Sequence, residues 1–216
     1  MEHRPRNAAD PSPRLRKGLD ALGLALDPAA IGRLLAYVAL LDHWNRAYNL
    51  TAVRDPAEMV PRHLLDSLAI LPWVRGPRLA DVGTGAGLPG IPIAIARPDV
   101  AVTLLDSNGK KARFCRHAAM ELGLPNVVVV QARIEDHRPP EPPTTVTARA
   151  VADLPGLVAA TRHLLEAGAQ LLAMKGVPPA DEIADLRARG LAVVVHRLAV
   201  PGVEGERHLV AVTLPA

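Results

Sequence analysis

Residues 78 to 96, RLADVGTGAGLPGIPIAIA, constrain the fold more than any other stretch of this chain. The apolar run that closes at Asp81 and Val82 fits a buried parallel strand. Gly83, Gly85 and Gly87 then let the backbone turn sharply and leave no side chain between the main chain and a ligand. Pro89 and Pro92 stand near the start of the apolar segment that follows. A first helical turn tolerates proline, because its amides lack intrahelical partners. The prediction is a strand, a glycine loop and a helix N-terminus, in that order.

Two cofactor classes use such a corner, and spacing separates them. A dinucleotide site wants G-x-G-x-x-G, with a pyrophosphate on the helix dipole. Here the run is G-x-G-x-G from Gly83 to Gly87, and Leu88 stands where the third dinucleotide glycine would be. Asp81 followed by that run resembles the first motif of the class I S-adenosylmethionine methyltransferases. The resemblance implies that the stretch from Asp81 to Leu88 packs against the amino-acid end and ribose of the cofactor. It also implies a second acid at the end of the next strand, for the ribose hydroxyls. VTLLD supplies Asp106, about twenty residues on. The alternative is a turn without a ligand, in which Asp106 caps the helix starting near Asn108.

With 216 residues the chain can form one α/β domain and a modest appendage. Its core must be aliphatic, since one Phe, two Trp and two Tyr are the whole aromatic complement. Pro, Arg or Asp interrupts every apolar run before it reaches the length of a membrane span. The N-terminus lacks the hydrophobic region of a secretory signal. A single cysteine, Cys115, excludes an internal disulfide and a multi-cysteine zinc site, and no metal site is expected. A cytoplasmic chain is the expectation. The net charge of +3 resides in the first 17 residues, where Arg4, Arg6, Arg14, Arg16 and Lys17 face Glu2 and Asp10. Such an arm can hold nucleic acid or lie solvated and disordered. The 21 Arg against four Lys suit phosphate recognition, as would a biased base composition in the gene.

Helical spacing marks Leu15 to Leu26 and Pro28 to Tyr48, with Asp27 as the cap of the second. The pattern breaks around Asn45 to Asp55, and Asp55-Pro56 begins a further helix through Leu71. Residues 1–13 are expected to be a disordered basic tail, 14–72 a helical region packed on the sheet, and 73–216 the cofactor-binding domain. Beyond Asp106, a helix from Ser107 to Gly123 leads to the strand Val127 to Val130. The prolines of HRPPEPPTT exclude a helix before the strand TVTARA, which ends at Arg149. A helix from Leu154, the strand Gln170 to Met174 ending at Lys175, and a helix stopping at Gly190 follow. LAVVVHRLAV and ERHLVAVTL form a closing antiparallel hairpin. The expected fold is α/β, a Rossmann-like class I methyltransferase with a mostly parallel seven-stranded sheet.

The segments WNRAYNLTAVRDPAEMVPRHLLDSL and DVGTGAGLPGIPIAIARPDVAVTLLDSNGKKARF together resemble the bacterial ribosomal-RNA small-subunit methyltransferase G family, also called glucose-inhibited division protein B. The WN-x-x-YNLT and RHLLDSL blocks are not general methyltransferase features. The resemblance runs from about Leu34 to the C-terminal GERHLVAV. It implies methyl transfer from S-adenosylmethionine to N7 of a guanine in 16S rRNA; naked RNA and the small subunit are both open as substrate, and a monomer is the expectation. It raises Asn49 and His63, otherwise ordinary hydrogen-bonded polar groups, to candidates for lining the RNA side of the cleft. Trp44 and Tyr48 read as a packed pair.

By the same resemblance Ile134 and Glu135 flank the adenine, Arg133 is a candidate RNA contact, and the Asp usual at the start of the fourth strand is replaced by Thr144 and Thr145. Arg149 and Lys175 both end sheet strands at the cleft, where two cations fit a polyanionic substrate. Arg149, Lys175, Asn49 and His63 are therefore the candidate catalytic set, with Arg149 also beside the cofactor. Amino-group methyltransferases carry Asn/Asp-Pro-Pro-aromatic where this chain has Arg149-Ala-Val-Ala-Asp, which argues against an exocyclic amine as target. Cys115, mid-helix, is misplaced for attack on a cytosine ring. Guanine N7 has a free lone pair, so positioning suffices and no general base is needed. The alternatives are a small-molecule methyltransferase, and an RNA-binding ribosome-assembly factor with little catalytic role.

Overall fold

The computed structural model describes residues 10–215. Seven strands form one sheet: β1 (Arg78–Val82), β2 (Ala101–Leu105), β3 (Val127–Val130), β4 (Thr145–Arg149), β5 (Gln170–Lys175), β6 (Ala192–Arg197) and β7 (His208–Thr213). Their order is β3-β2-β1-β4-β5-β7-β6. The first five are parallel, and β7 lies antiparallel between β5 and β6. Helices α5 (Gly90–Ala96) and α6 (Gly109–Glu121) connect β1, β2 and β3, while α7 (Leu154–Glu166) and α8 (Ala180–Ala188) serve the other half. The chain reverses its direction across the sheet between β1 and β4, and the crevice at such a switch point is where open α/β sheets bind ligands.

Strand alternation sorts the core into two faces. Ala80, Val82, Val146, Ala148, Leu171 and Ala173 pack with α7 and α8 in one cluster. Leu79, Val102, Leu104, Leu172 and Met174 join α5, α6 and the N-terminal helices in the other. Asp81 has the parity of Leu79, and Arg149 that of Thr145 and Thr147. Both therefore turn toward the N-terminal helices, the placement on which the site depends.

The helical layer starts earlier and breaks more often than its periodicity predicts. Helix α1 spans Ser12–Ala21, where Leu15 to Leu26 was expected. The chain reverses after it, with the Leu24 amide bonded back to the Leu19 carbonyl at 2.9 Å, so that Leu24 and Leu26 meet the core from outside a helix. Of the expected tail, residues 1–9 lie outside the described residues, and Ser12 and Pro13 already belong to α1. Helix α2 (Pro28–Tyr48) starts as expected, its Asp27 carboxylate accepting the Ala30 amide at 2.6 Å. The third helix is interrupted: α3 (Pro56–Met59), a π turn at Val60–Leu65, α4 (Asp66–Leu68) and a 3-10 turn at Leu71–Trp73. Pro61 lacks an amide to donate, which favours this departure from the α ladder.

Four of the five aromatic side chains gather where α2 meets α6. Trp44 contacts Tyr48 and Phe114 at ring distances of 5.2 and 5.6 Å, and Tyr37 lies 6.4 Å from Phe114. This cluster ties the N-terminal layer to the sheet, and the fully buried Tyr37 carries the tie into the glycine loop through a 2.7 Å bond from its hydroxyl to the Ala86 carbonyl.

Candidate active site

Gly83, Gly85 and Gly87 all adopt positive φ. A Cβ on Gly85 would have only the Gly83 carbonyl within 4 Å, at 3.9 Å, so its missing side chain leaves open space beside the loop. Gly83 is bare for another reason. A Cβ there would come within 2.6 Å of Val151, from the loop after β4. That loop and the glycine loop thus close on each other across the switch point.

Asp106, at the end of β2, accepts the Gly85 amide on Oδ2 at 2.9 Å and the Asn108 amide on Oδ1 at 2.8 Å. Lys111 Nζ lies 3.9 Å from Oδ2. A carboxylate offers about four lone-pair sites, so these two amides leave acceptor capacity for a ligand's hydroxyls. The cap of α6 is Asn108, so Asp106 is spared that task. Ile134 and Glu135 lie on a short 3-10 turn after β3, Ile134 half-buried and Glu135 exposed; Arg133 beside them is exposed.

Asp81 and Leu88 sit differently from a ligand-facing pair. The Asp81 carboxylate is fully buried beneath the loop, accepting the Gly90 amide at 2.9 Å, the Thr84 hydroxyl and the Thr147 hydroxyl at 3.0 Å. Burial pushes its pKa up to about 6, against the opposing pull of those three donors. Leu88 sends its side chain into the core. Both shape the loop from below. Cys115 is buried under the same loop, 3.5 Å from the Gly85 carbonyl, and burial holds its thiol far above the usual range, so it is inert.

At the start of the loop that closes on Gly83, a cavity of about 510 Å³ opens between the ends of β4 and β5, the hairpin and the π turn. Its lining includes Arg62, His63, Asp66, Arg149, Lys175 and Arg207. Among the described residues, Asp66 is the one acid in a wall with four Arg and Lys side chains. Arg149 Nη1 donates to the Arg62 carbonyl and to Asp66 Oδ2, both at 3.2 Å. Arg207 Nε lies 3.3 Å from Asp66 Oδ1. Burial raises the Asp66 pKa, and the two guanidiniums oppose that rise. Lys175 Nζ donates to the Ala152 carbonyl at 2.8 Å, holding the loop after β4, in which Ala150 has a positive φ of 55°. A non-glycine residue in that region is strained, as happens where a site fixes the backbone.

His63 is neutral at physiological pH. Burial comes first and the nearby Arg149 charge second in lowering its pKa to about 4. Its Nδ1 lies 2.9 Å from the Arg62 carbonyl, which can only accept, so Nδ1 carries the proton and Nε2 accepts the Thr51 hydroxyl at 2.9 Å. Thr51 is placed in turn by Asn45, buried in α2, whose Oδ1 accepts the Thr51 amide at 2.9 Å.

The candidate residues do not all converge. Arg149, Lys175 and His63 line the cavity, but Asn49 does not. Asn49 is the left-handed cap that ends α2, with its side chain exposed and its Oδ1 accepting Arg54 Nη2 at 2.7 Å. Asparagine tolerates that conformation, which explains it without a ligand. Unforeseen from the sequence were Asn45, Thr51, Arg62, Asp66, Arg207 and His208. The RHLLDSL block held two of these, Arg62 and Asp66, beside the candidate His63. Arg207 and His208 stood in view only as part of the hairpin and of the GERHLVAV that closes the resemblance.

The profile of the family described as GidB, rRNA small subunit methyltransferase G, matches residues 30–210. The chain belongs to this family. It is 54% identical over 210 residues to the ribosomal RNA small subunit methyltransferase G of Alkalilimnicola ehrlichii, covering 97% of this chain and 96% of that protein. It is 55% identical over 205 residues to the protein of that name from Xanthomonas axonopodis pv. citri, covering 95% and 96%. Similar solved structures include the glycopeptide N-methyltransferase MtfA complexed with S-adenosylmethionine, with a TM-score of 0.59, 15% identity, and 71% and 88% of the two chains covered. A ribosomal protein L11 methylase from Lactobacillus delbrueckii subsp. bulgaricus has a TM-score of 0.55 at 17% identity, covering 70% and 77%. These two share the class I methyltransferase fold with this member of the methyltransferase G family.

Proposed function

We propose that this member of the methyltransferase G family transfers a methyl group from S-adenosylmethionine to N7 of a guanine in 16S rRNA, acting as a monomer in the cytoplasm. The observation that carries the reading is the cation-lined cavity at the end of β4, whose following loop closes on Gly83, in a chain of this family. Among the described residues no helix is long and apolar enough to cross a membrane, which fits that setting.

The residues present fit the cofactor. The space at Gly85 is the kind of cradle that a Cβ would fill, and Asp106 is a buried carboxylate with acceptor capacity left for a diol. Gly83, Gly85 and Gly87 would supply the cradle, Asp106 the ribose contact, and Ile134 and Glu135 the adenine side. Asp81 and Leu88 would serve from beneath, by fixing the loop. When bound, S-adenosylmethionine supplies an electrophilic methyl group on a sulfonium centre.

The protein's share is positioning. Guanine N7 presents its lone pair at neutral pH, so no side chain has to take a proton from it. His63 fits that economy, since both its ring nitrogens are engaged within the protein. Arg149 and Lys175 meet the negative backbone around the target, and holding the base in line is worth on the order of 7 to 11 kcal/mol at best. N7 lies on the major-groove edge, which A-form RNA hides, so the target is an unstacked or loop guanine. Transfer of tritiated methyl groups to unmodified small-subunit RNA, followed by mapping of the labelled base, tests the reading. Label on N7 of a guanine supports it, and label confined to an exocyclic amine contradicts it.

A further inference from the structure

We infer that Asp66 is a positioning residue that holds Arg149 and Arg207 as a two-arginine clamp for a phosphate of the RNA at the cavity. This deepens the RNA-methyltransferase reading and rests on it.

The two arginines come from distant parts of the chain, the end of β4 and the approach to β7, and Asp66 from the turn into α4. One carboxylate faces both: Oδ2 takes Arg149 Nη1 at 3.2 Å, and Oδ1 faces Arg207 Nε at 3.3 Å. The second contact is ionic only, because Oδ1 is buried and lacks a hydrogen-bond partner of good geometry. As a stabilising device this is poor. A carboxylate 5% exposed with one oxygen imperfectly served costs desolvation that an apolar side chain would avoid. As an orienting device it is effective, because it brings together two guanidiniums that would otherwise repel each other into solvent.

The arginine side chains keep 22% and 30% of their surface. Among the described residues, Nε and Nη2 of Arg149 and Nη2 of Arg207 have no hydrogen-bond partner, and one carboxylate leaves the pair with an excess positive charge. Unused donors on adjacent planar cations match the oxygens of a phosphate. Lys175 adds charge nearby while spending its hydrogen bond on a neutral carbonyl.

The test measures methylation of unmodified small-subunit RNA by wild type, Asp66→Asn, Arg207→Gln and the double variant, across a series of KCl concentrations, with S-adenosylmethionine affinity measured separately. The expected result for Asp66→Asn is a KM for RNA raised about tenfold, kcat within about threefold, unchanged cofactor affinity, and a log-log salt slope smaller by about 0.7 for the phosphate lost. Arg207→Gln should match it, and the double variant should lose no more than Arg207→Gln alone. A wild-type KM and salt slope in Asp66→Asn overturns the inference. So does a parallel loss of kcat, cofactor affinity and thermal stability, which marks a structural role only. If Asp66→Asn fails to fold, Arg207→Gln decides: its clamp-like loss sustains the inference, and a wild-type KM and slope there overturn it. Failure of the wild type to methylate the RNA is a separate outcome, seen in the same assay, that removes the parent reading and this one together.

Discussion

The amide of Gly85 donates to Asp106 Oδ2 at 2.9 Å, so the middle of the glycine loop is fixed to the end of the neighbouring strand. The group proposed to hold the ribose therefore also sets the shape of the cradle. Asp106→Asn puts an amide nitrogen against the Gly85 or the Asn108 amide, and either arrangement sets donor against donor. Cofactor affinity, measured by calorimetric titration, should fall roughly ten- to a hundredfold. RNA affinity should stay within about twofold, and an equal loss of both would refute the assignment.

Gly85→Ala tests the cradle itself. The backbone there has φ near +60°, and an added methyl group would project into open space beside the loop. Left-handed backbone costs an L-residue roughly 1–2 kcal/mol, or about 2–8 °C in melting temperature for a chain of this size. The expected outcome is a modestly destabilised protein with clearly weakened cofactor binding. Unchanged cofactor affinity would place the ligand elsewhere.

The strand, glycine loop and Asp106 were legible in the sequence because their geometry is local. Three glycines, a strand end and the next acid are set by short-range backbone rules. The cavity was legible only in part. Arg149 and Lys175 could be placed because they end parallel strands, but Asp66, 83 positions from Arg149, and Arg207, from the hairpin, meet them only through the fold. Asn49 drew notice through the family resemblance, and in the fold it is the left-handed residue that ends α2. Asp81 and Leu88 matched a motif whose spacing does not say which way each side chain turns. Their faces follow from strand parity and from the helix packed beneath the loop.

Tyr37→Phe tests the tie between the N-terminal layer and the loop. Removing the hydroxyl strands the buried Ala86 carbonyl, at a cost of about 1–3 kcal/mol. Chemical denaturation should show that loss, together with weaker cofactor binding, since Ala86 lies between Gly85 and Gly87. A stability and affinity equal to wild type would mean that α2 does not brace the loop.

The neutral His63 predicts a pH dependence of stability. Its pKa falls from 6.5 to about 4 on folding, so its contribution is complete above pH 6.5 and is lost as pH falls through about 4. His63→Asn keeps a donor for the Arg62 carbonyl but cannot titrate. The stability difference between wild type and this variant, from urea unfolding, should shift by up to about 3 kcal/mol against the wild type between those pH values. A pH-independent difference would contradict a neutral buried ring.

Methyl transfer to guanine N7 is tested most directly by identifying the modified nucleoside. Small subunits lacking the modification are incubated with the protein and S-adenosylmethionine labelled in the methyl group, and the 16S rRNA is digested to nucleosides. The predicted result is label in 7-methylguanosine, at one site, in stoichiometric yield. Cofactor bound with no label in the RNA, or label in any other nucleoside, contradicts it.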